Sequence, residues 1–178
     1  MRIIHTADWQ IGKPYGTVAD EQKRFRLQQE RIAAIGRIRD VARLQEAQLV
    51  LVAGDLFDSP TPDPTAVLEV LELIGEMAVP VLVIPGNHDH GSPGTVWFSD
   101  DFQRHQPRAA PNLQLLLERQ PLVLDSAVVL PCPLLRNQDS SDPTLWLRGF
   151  DWAGLPTDRP RIVFAHGGVH GFGGRDYE

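Results

Sequence analysis

The sequence predicts an α/β sandwich, in which a mainly parallel β-α-β-α-β sheet is joined by a second sheet and carries its helices outside. Three observations predict it. The apolar runs Leu49–Ala53 and Val79–Ile84 are too short for helices, are rich in β-branched residues, and stop at Gly54 and at Pro85-Gly86. Longer segments with apolar residues at helical spacing alternate with these runs, the order that right-handed crossovers of a parallel sheet require. Polar residues able to bind a metal follow directly on four of the predicted strands, and ligands of open α/β sheets gather at the carboxyl ends of strands.

The elements follow in order. Arg2–Ala7 carries Ile3 and Ile4 and reads as a short buried strand. From about Asp20 to Gln48 there is no proline, and Ile32, Ile35, Ile38, Val41, Ala42 and Leu44 form one stripe, which predicts a long helix. Leu49–Ala53 is the second strand. Pro64–Ala78 is a second helix, with Asp63 as its N-cap and proline in the first turn, and Val79–Ile84 is the third strand. Beyond it, Leu113–Leu117, Leu122–Leu124 and Val128–Leu130 read as short strands of an antiparallel meander or second sheet. Pro131–Pro160 is a surface excursion with a short helix at Pro143–Gly149, and Arg161–Ala165 is the last strand.

Composition narrows the class. The 178 residues, 42% hydrophobic and 22% charged, fit one globular domain, 1–178. The single cysteine, Cys132, has no intrachain partner and reads as a small buried hydrophobe. The opening residues lack the charged and apolar regions of a signal peptide, and no apolar run approaches the roughly 18–20 residues of a membrane span. A reducing cytoplasm and no membrane contact are expected. The net charge of −6 argues against a uniformly basic nucleic-acid surface. Basic residues nevertheless crowd one segment, Lys23, Arg24, Arg26, Arg31, Arg37, Arg39 and Arg43, read first as a solvated helix face.

The chemistry lies at the strand ends. Asp8-Trp9-Gln10 follows the first strand, Gly54-Asp55-Leu56-Phe57-Asp58 the second, Gly86-Asn87-His88-Asp89 the third, and His166-Gly167 the last. Asp and Asn beside Gly are also ordinary turn residues. A turn alone does not account for carboxylate, carboxamide and imidazole donors on one rim, a set that suits manganese, iron or zinc better than magnesium. Asp55 is the candidate bridge between two ions, a pair that can clamp a phosphate and lower the pKa of a bound water. Gly54 and Gly86 let the backbone turn sharply beside these donors.

The series Asp8-x-Gln10, Gly54-Asp55-x-x-Asp58, Gly86-Asn87-His88-Asp89 and His166 resembles the D-x-H, G-D-x-x-D, G-N-H-D and H motifs of calcineurin-like metallophosphoesterases. Within that superfamily, His5-Thr6-Ala7-Asp8-Trp9-Gln10-Ile11-Gly12-Lys13 is similar to the H-T-S-D-W-H-L-G-K opening of SbcD-type nucleases, and Val52–Asp58 to their second motif. The resemblance implies a metallophosphoesterase-type α/β sandwich. It also implies a manganese-dependent DNA nuclease that works with an SMC-like ATPase on DNA ends and hairpins, as a homodimer, although no helical dimer seam can be picked out in the sequence. Carried over by position, Asp8 ligates the first metal and Asp55 bridges. Asn87 and His166 ligate the second, and His88 contacts the scissile phosphate or protonates the leaving oxygen with Asp89 orienting it. Lys13 and the basic helix, through Arg24 and Arg31, would help to hold the strand.

Two departures stand out. Gln10 replaces the histidine of the first motif, and a carboxamide oxygen is a weaker donor than imidazole, so the first metal should be held less tightly or not at all. The closing G-H-x-H motif does not appear, which reads as truncation. Asp58 is expected to be a cap or an acceptor behind the ligands, His170 an exposed loop residue, and His5 a core or near-core histidine. His90 and His105 belong to surface loops, and Trp9 and Phe57 wall the site. Two rival functions remain: a phosphodiesterase or phosphatase acting on other esters, and a metal-poor docking subunit for an ATPase.

Overall fold

Seven strands and three α-helices are built by the described residues, 1–137 and 141–168, in a computed structural model of the chain. In chain order they are β1 (Ile3–Thr6), α1 (Glu21–Leu44), β2 (Leu49–Ala53), α2 (Pro64–Gly75), β3 (Val81–Ile84), α3 (Asp100–Ala109), β4 (Leu113–Leu115), β5 (Leu122–Val123), β6 (Val128–Cys132) and β7 (Arg161–Ala165). One sheet has the order β1-β2-β3-β4 with every pair parallel; the other has the order β5-β6-β7, antiparallel and then parallel.

The continuous apolar runs are explained by burial on both faces of the first sheet. Val50, Val52, Val81 and Val83 point to one face, where they pack with Ile35, Val67, Val70, Leu71 and Ile74 of α1 and α2. Leu49, Leu51, Ala53, Leu82 and Ile84 point to the other and meet Val129 and Phe164 of the second sheet. This period-two division makes a three-layer arrangement of helices, sheet and sheet, and it leaves the strand ends open along one rim.

Several expectations change. The strand at Leu113 joins the first sheet as β4, parallel to β3 in register Val81↔Leu113, rather than an antiparallel meander. Asn112 fixes that placement, because its side-chain amide donates to the carbonyls of Ile74, Met77 and Val79 at 2.9, 2.9 and 3.1 Å. The stripe on α1 is narrower than expected: Ile35 and Ala42 are buried, whereas Val41 and Leu44 are exposed. At roughly 100° per residue Leu44 lies about 180° round the axis from Ile35 and faces away from the core. The expected short helix at Pro143–Gly149 is a single 3-10 turn, Leu145–Leu147.

Helix α3 is not legible as a helix from its sequence, since Asp-Asp-Phe-Gln-Arg-His-Gln-Pro-Arg-Ala buries only Phe102 and carries Pro107 near its end. Its one local signal is the cap: Ser99 accepts from the Phe102 amide at 3.2 Å, with Asp100 and Asp101 in the first turn. Fully buried Trp97 joins this helix to the sheet, with ring centroids 5.4 Å from Phe102 and 5.9 Å from Phe57. Among the described residues no helix is long and apolar enough to cross a membrane.

The contact between α2 and α3 is close enough to require glycine. A Cβ added at Gly75 would stand 1.8 Å from the Ala109 carbonyl oxygen. Gly75→Ala is expected to destabilise the fold by about 1–3 kcal/mol through this overpacking. By contrast, a Cβ on Gly36 in α1 meets only the end of Arg39 at 3.9 Å, so Gly36→Ala should stabilise by about 0.4–1 kcal/mol. Urea unfolding of both variants measures this; equal shifts in midpoint would refute the packing account.

Candidate metal centre

The loop after β1 runs alongside the loop after β2 and continues the parallel pairing beyond the sheet. The amides of Asp8, Gln10 and Ile11 donate to the carbonyls of Gly54, Asp55 and Leu56 at 3.1, 2.8 and 3.0 Å, and Ile11 bridges to Phe57. Asp8, Gln10 and Asp55 all adopt left-handed backbone, with φ of 55°, 44° and 53°. For residues other than glycine such angles cost on the order of 1 kcal/mol or more each, and they persist only where surrounding contacts hold them.

Two side chains supply those contacts. Arg31 reaches from α1 and donates to the Trp9 carbonyl at 2.7 Å and the Asp8 carbonyl at 3.3 Å, while its guanidinium lies over the Tyr15 ring and bonds the Tyr15 hydroxyl. Asp89 is fully buried and accepts from the amides of Gly86, Phe57 and Asp55 at 2.7, 3.1 and 3.2 Å. Burial pushes the Asp89 carboxyl up to about 6, against the lowering effect of the Gly86 and Phe57 amides. The indole of Trp97 donates to the Asp89 carbonyl.

Glycine is required twice here for space. A Cβ on Gly86 would lie 2.1 Å from Asp55 Oδ1, and one on Gly54 would lie 2.5 Å from the His166 ring. Gly54 also takes a φ of 80°, whereas Gly86 has no left-handed backbone, so the expected sharp turn applies only to the first.

These supports bring the strand-end donors together. Ligand atoms of Asp8, Asp55 and His166 lie within 4.8 Å of one another. His166 Nε2 is 3.7 Å from Asp55 Oδ2 and 3.0 Å from Asn87 Oδ1. Its Nδ1 lies 2.7 Å from the Ala53 carbonyl oxygen and donates to it, so the neutral ring presents a bare Nε2 to the cluster. Two carboxylates, a carboxamide oxygen and an imidazole nitrogen then face one another as acceptors. That set fits a divalent cation of the manganese, iron or zinc type, which would satisfy all of them at once.

His88 projects beside the cluster, with Nε2 4.0 Å from Asp55 Oδ2 and its backbone amide donating to Asp55 Oδ1 at 2.9 Å. The expected partner of His88 is corrected: Asp89 lies beneath the loops on backbone amides, and the Asp58 carbonyl, 3.0 Å from Nδ1, orients the ring. The Asp58 carboxylate is 3.8 Å from the Lys13 ammonium.

The three cations expected to hold DNA are engaged within the protein. Lys13 donates to Gln10 Oε1 at 2.6 Å, Arg24 to the carbonyls of Val18 and Ala19 at 2.7 and 3.1 Å, and Arg31 to the rim as described. Gln10 stands on the same rim, its side-chain oxygen directed to Lys13. His5 is exposed instead of near-core, on β1 at the edge of the first sheet. His105 is exposed on α3 rather than in a loop, His90 is half-buried against Ser92, and His170 lies outside the described residues. Trp9 and Phe57 are buried next to the ligand loops, and Cys132 is buried in β6. Sequence reasoning missed the bracing by Arg31 and Trp97; nothing local marks either, since Arg31 reaches back more than twenty residues and Trp97 joins Asp89 to the distant Phe57.

Comparison with known proteins adds family context. A family model described as calcineurin-like phosphoesterase matches residues 1–178. The SbcD component of the SbcCD nuclease of Staphylococcus saprophyticus is 29% identical over 107 residues, covering 55% of this chain and 26% of the relative. The match thus spans about a quarter of that relative's length. One solved structure superimposes with a TM-score of 0.45 at 14% identity, over 72% of this chain and 51% of the other.

The bracing by Asp89 makes a stability prediction. A carboxamide keeps one acceptor oxygen and turns an NH2 toward backbone amides that are themselves donors. Asp89→Asn should therefore destabilise the protein by about 2–4 kcal/mol, read as a lower urea midpoint. An unchanged midpoint would remove Asp89 from the role described.

Proposed function

The chain belongs to the calcineurin-like phosphoesterase family over its whole length, and from that premise we propose that residues 1–178 form one catalytic domain that hydrolyses phosphodiester bonds in DNA with divalent metal. Asp8, Asp55, Asn87 and His166 hold the metal, which is manganese in this reading. The observation that carries it is the convergence of the acceptors of Asp8, Asp55 and Asn87 on the His166 ring, whose Nε2 is left bare. When bound, the metal neutralises phosphate oxygens and lowers the pKa of water.

The chain's own residues do the rest. Asp55 keeps Oδ1 on the His88 amide and turns Oδ2 toward His166 and His88. His88 holds its Nδ1 proton on the Asp58 carbonyl, so that Nε2, on a ring whose side chain is 41% exposed, is free to carry a proton to the leaving oxygen. In this reading, which follows from the resemblance of its motifs to SbcD-type nucleases, the protein is a cytoplasmic nuclease subunit, homodimeric and paired with an SMC-like ATPase. A second reading, hydrolysis of smaller phosphodiesters, is favoured by a specific observation: Lys13, Arg24 and Arg31 are all bonded to acceptors of the protein itself.

Hydrolysis of bis-p-nitrophenyl phosphate and of single-stranded DNA by the full-length protein with manganese separates these readings. Activity on both substrates is expected. His88→Ala should lower the rate by about 10²–10⁴-fold, and Asp55→Ala should lose metal and activity together. Cleavage of the small ester alone would support the second reading. No hydrolysis with manganese, iron or zinc would leave only a docking role.

A further inference from the structure

We infer that this centre holds one divalent ion tightly rather than two, because Gln10 and Lys13 give the rim a built-in cation where a second ion would need a ligand. The inference rests on the metal-binding reading above and concerns its stoichiometry.

The pair is constructed by a local turn. The Lys13 amide donates to the Gln10 carbonyl at 3.2 Å, and Gly12 supplies the left-handed backbone, φ 90°, that closes the four residues. The turn is anchored on both sides: the Gln10 amide donates to the Asp55 carbonyl at 2.8 Å, and Gln28 of α1 donates to the Lys13 carbonyl at 3.3 Å. Within this frame the ammonium sits 2.6 Å from Gln10 Oε1 and 3.8 Å from Asp58 Oδ1. Gln10 has a single side-chain acceptor atom, and a lysine already donates to it.

A dication approaching that oxygen would come close to the Lys13 ammonium, whose charge the Asp58 carboxylate at 3.8 Å offsets only in part, and a neutral carboxamide adds no charge against the repulsion. The other end of the rim differs. Among the described residues no Lys or Arg forms an ion pair with Asp8 or Asp55; the ring nitrogens of His88 and His166 lie 4.0 and 3.7 Å from the Asp55 carboxylate. An ion at Asp55, Asn87 and His166, with Asp8 in reach, therefore meets acceptors alone.

Titration of the full-length protein with Mn²⁺, followed by the electron paramagnetic resonance signal of free Mn²⁺, tests this. The native protein should take up one equivalent tightly and a second at least about 10-fold more weakly, without the spectrum of an exchange-coupled pair. Gln10→His should tighten the second equivalent by about 10–100-fold, the range typical for changes around a metal ligand, and produce the coupled spectrum. Lys13→Met should tighten it more modestly, and far-UV circular dichroism checks that both variants fold. Two equivalents of equal affinity in the native protein, or no change of the second in either variant, overturns the inference while leaving the metal-centre reading intact. No tight equivalent at all overturns both.

Discussion

The rim depends on one buried carboxylate. Asp89 gathers the amides that follow β2 and the amide of Gly86 after β3 onto a single acceptor, so two loops from adjacent strands cannot move apart without stranding buried donors. Backbone amides left unpaired in a dry interior cost about 1–3 kcal/mol each, which is more than the net gain of an ordinary hydrogen bond. The constraint is stronger for being covered: Trp97 closes over the Asp89 carbonyl and packs against Phe57 and Phe102. Asp55 is held in a left-handed conformation because its amide is fixed from below, and only then does its side chain reach the cluster.

The first loop is held by a different kind of force. Arg31 ties carbonyl oxygens, not amides, and it does so from a helix, so the position of Asp8 is coupled to the packing of α1 on the sheet. A planar guanidinium can span two adjacent carbonyls and lie flat on a tyrosine ring, which an ammonium cannot. The centre is thus assembled from two sides, by an anion beneath the loops after β2 and β3 and by a cation beside the loop after β1. Each brace satisfies backbone groups of the opposite character.

The features legible in the sequence are those set by local pattern or by position along the chain. β2 and β3 are readable because burial on both faces demands unbroken apolar runs, and the Asp63 cap marks α2. The ligand residues after β1, β2 and β3 are readable because a parallel sheet delivers those strand ends to the same rim, which His166 joins from β7 of the second sheet. Pairing partners are not: nothing in Leu113–Leu115 says whether it joins the first sheet or the second, and the deciding contacts come from Asn112 to carbonyls more than thirty residues away. α3 is hidden because a polar helix with one buried residue has no apolar stripe to detect. Asp89 is legible as part of the site motif but its neighbour is not, since only the folded geometry shows that Asp58 turns His88.

The charge along α1 shows how such a pattern divides once folded. In the C-terminal half Arg37, Arg39 and Arg43 pair with Glu30, Asp40 and Glu76, the solvated face expected of a mixed helix surface. Exposed pairs of this kind contribute little, about 0–1 kcal/mol each. At the other end Arg24 and Arg31 are turned inward onto loop carbonyls, whereas Lys23 and Arg26 are exposed and, among the described residues, have no acid within ion-pairing distance. A right-handed crossover places the start of α1 at the same end of the sheet as the carboxyl ends of the strands. Lys23 and Arg26 therefore lie at the end of the helix nearer the metal centre, in company with the acids Asp20 and Glu21, and the ion-paired arginines lie away from it.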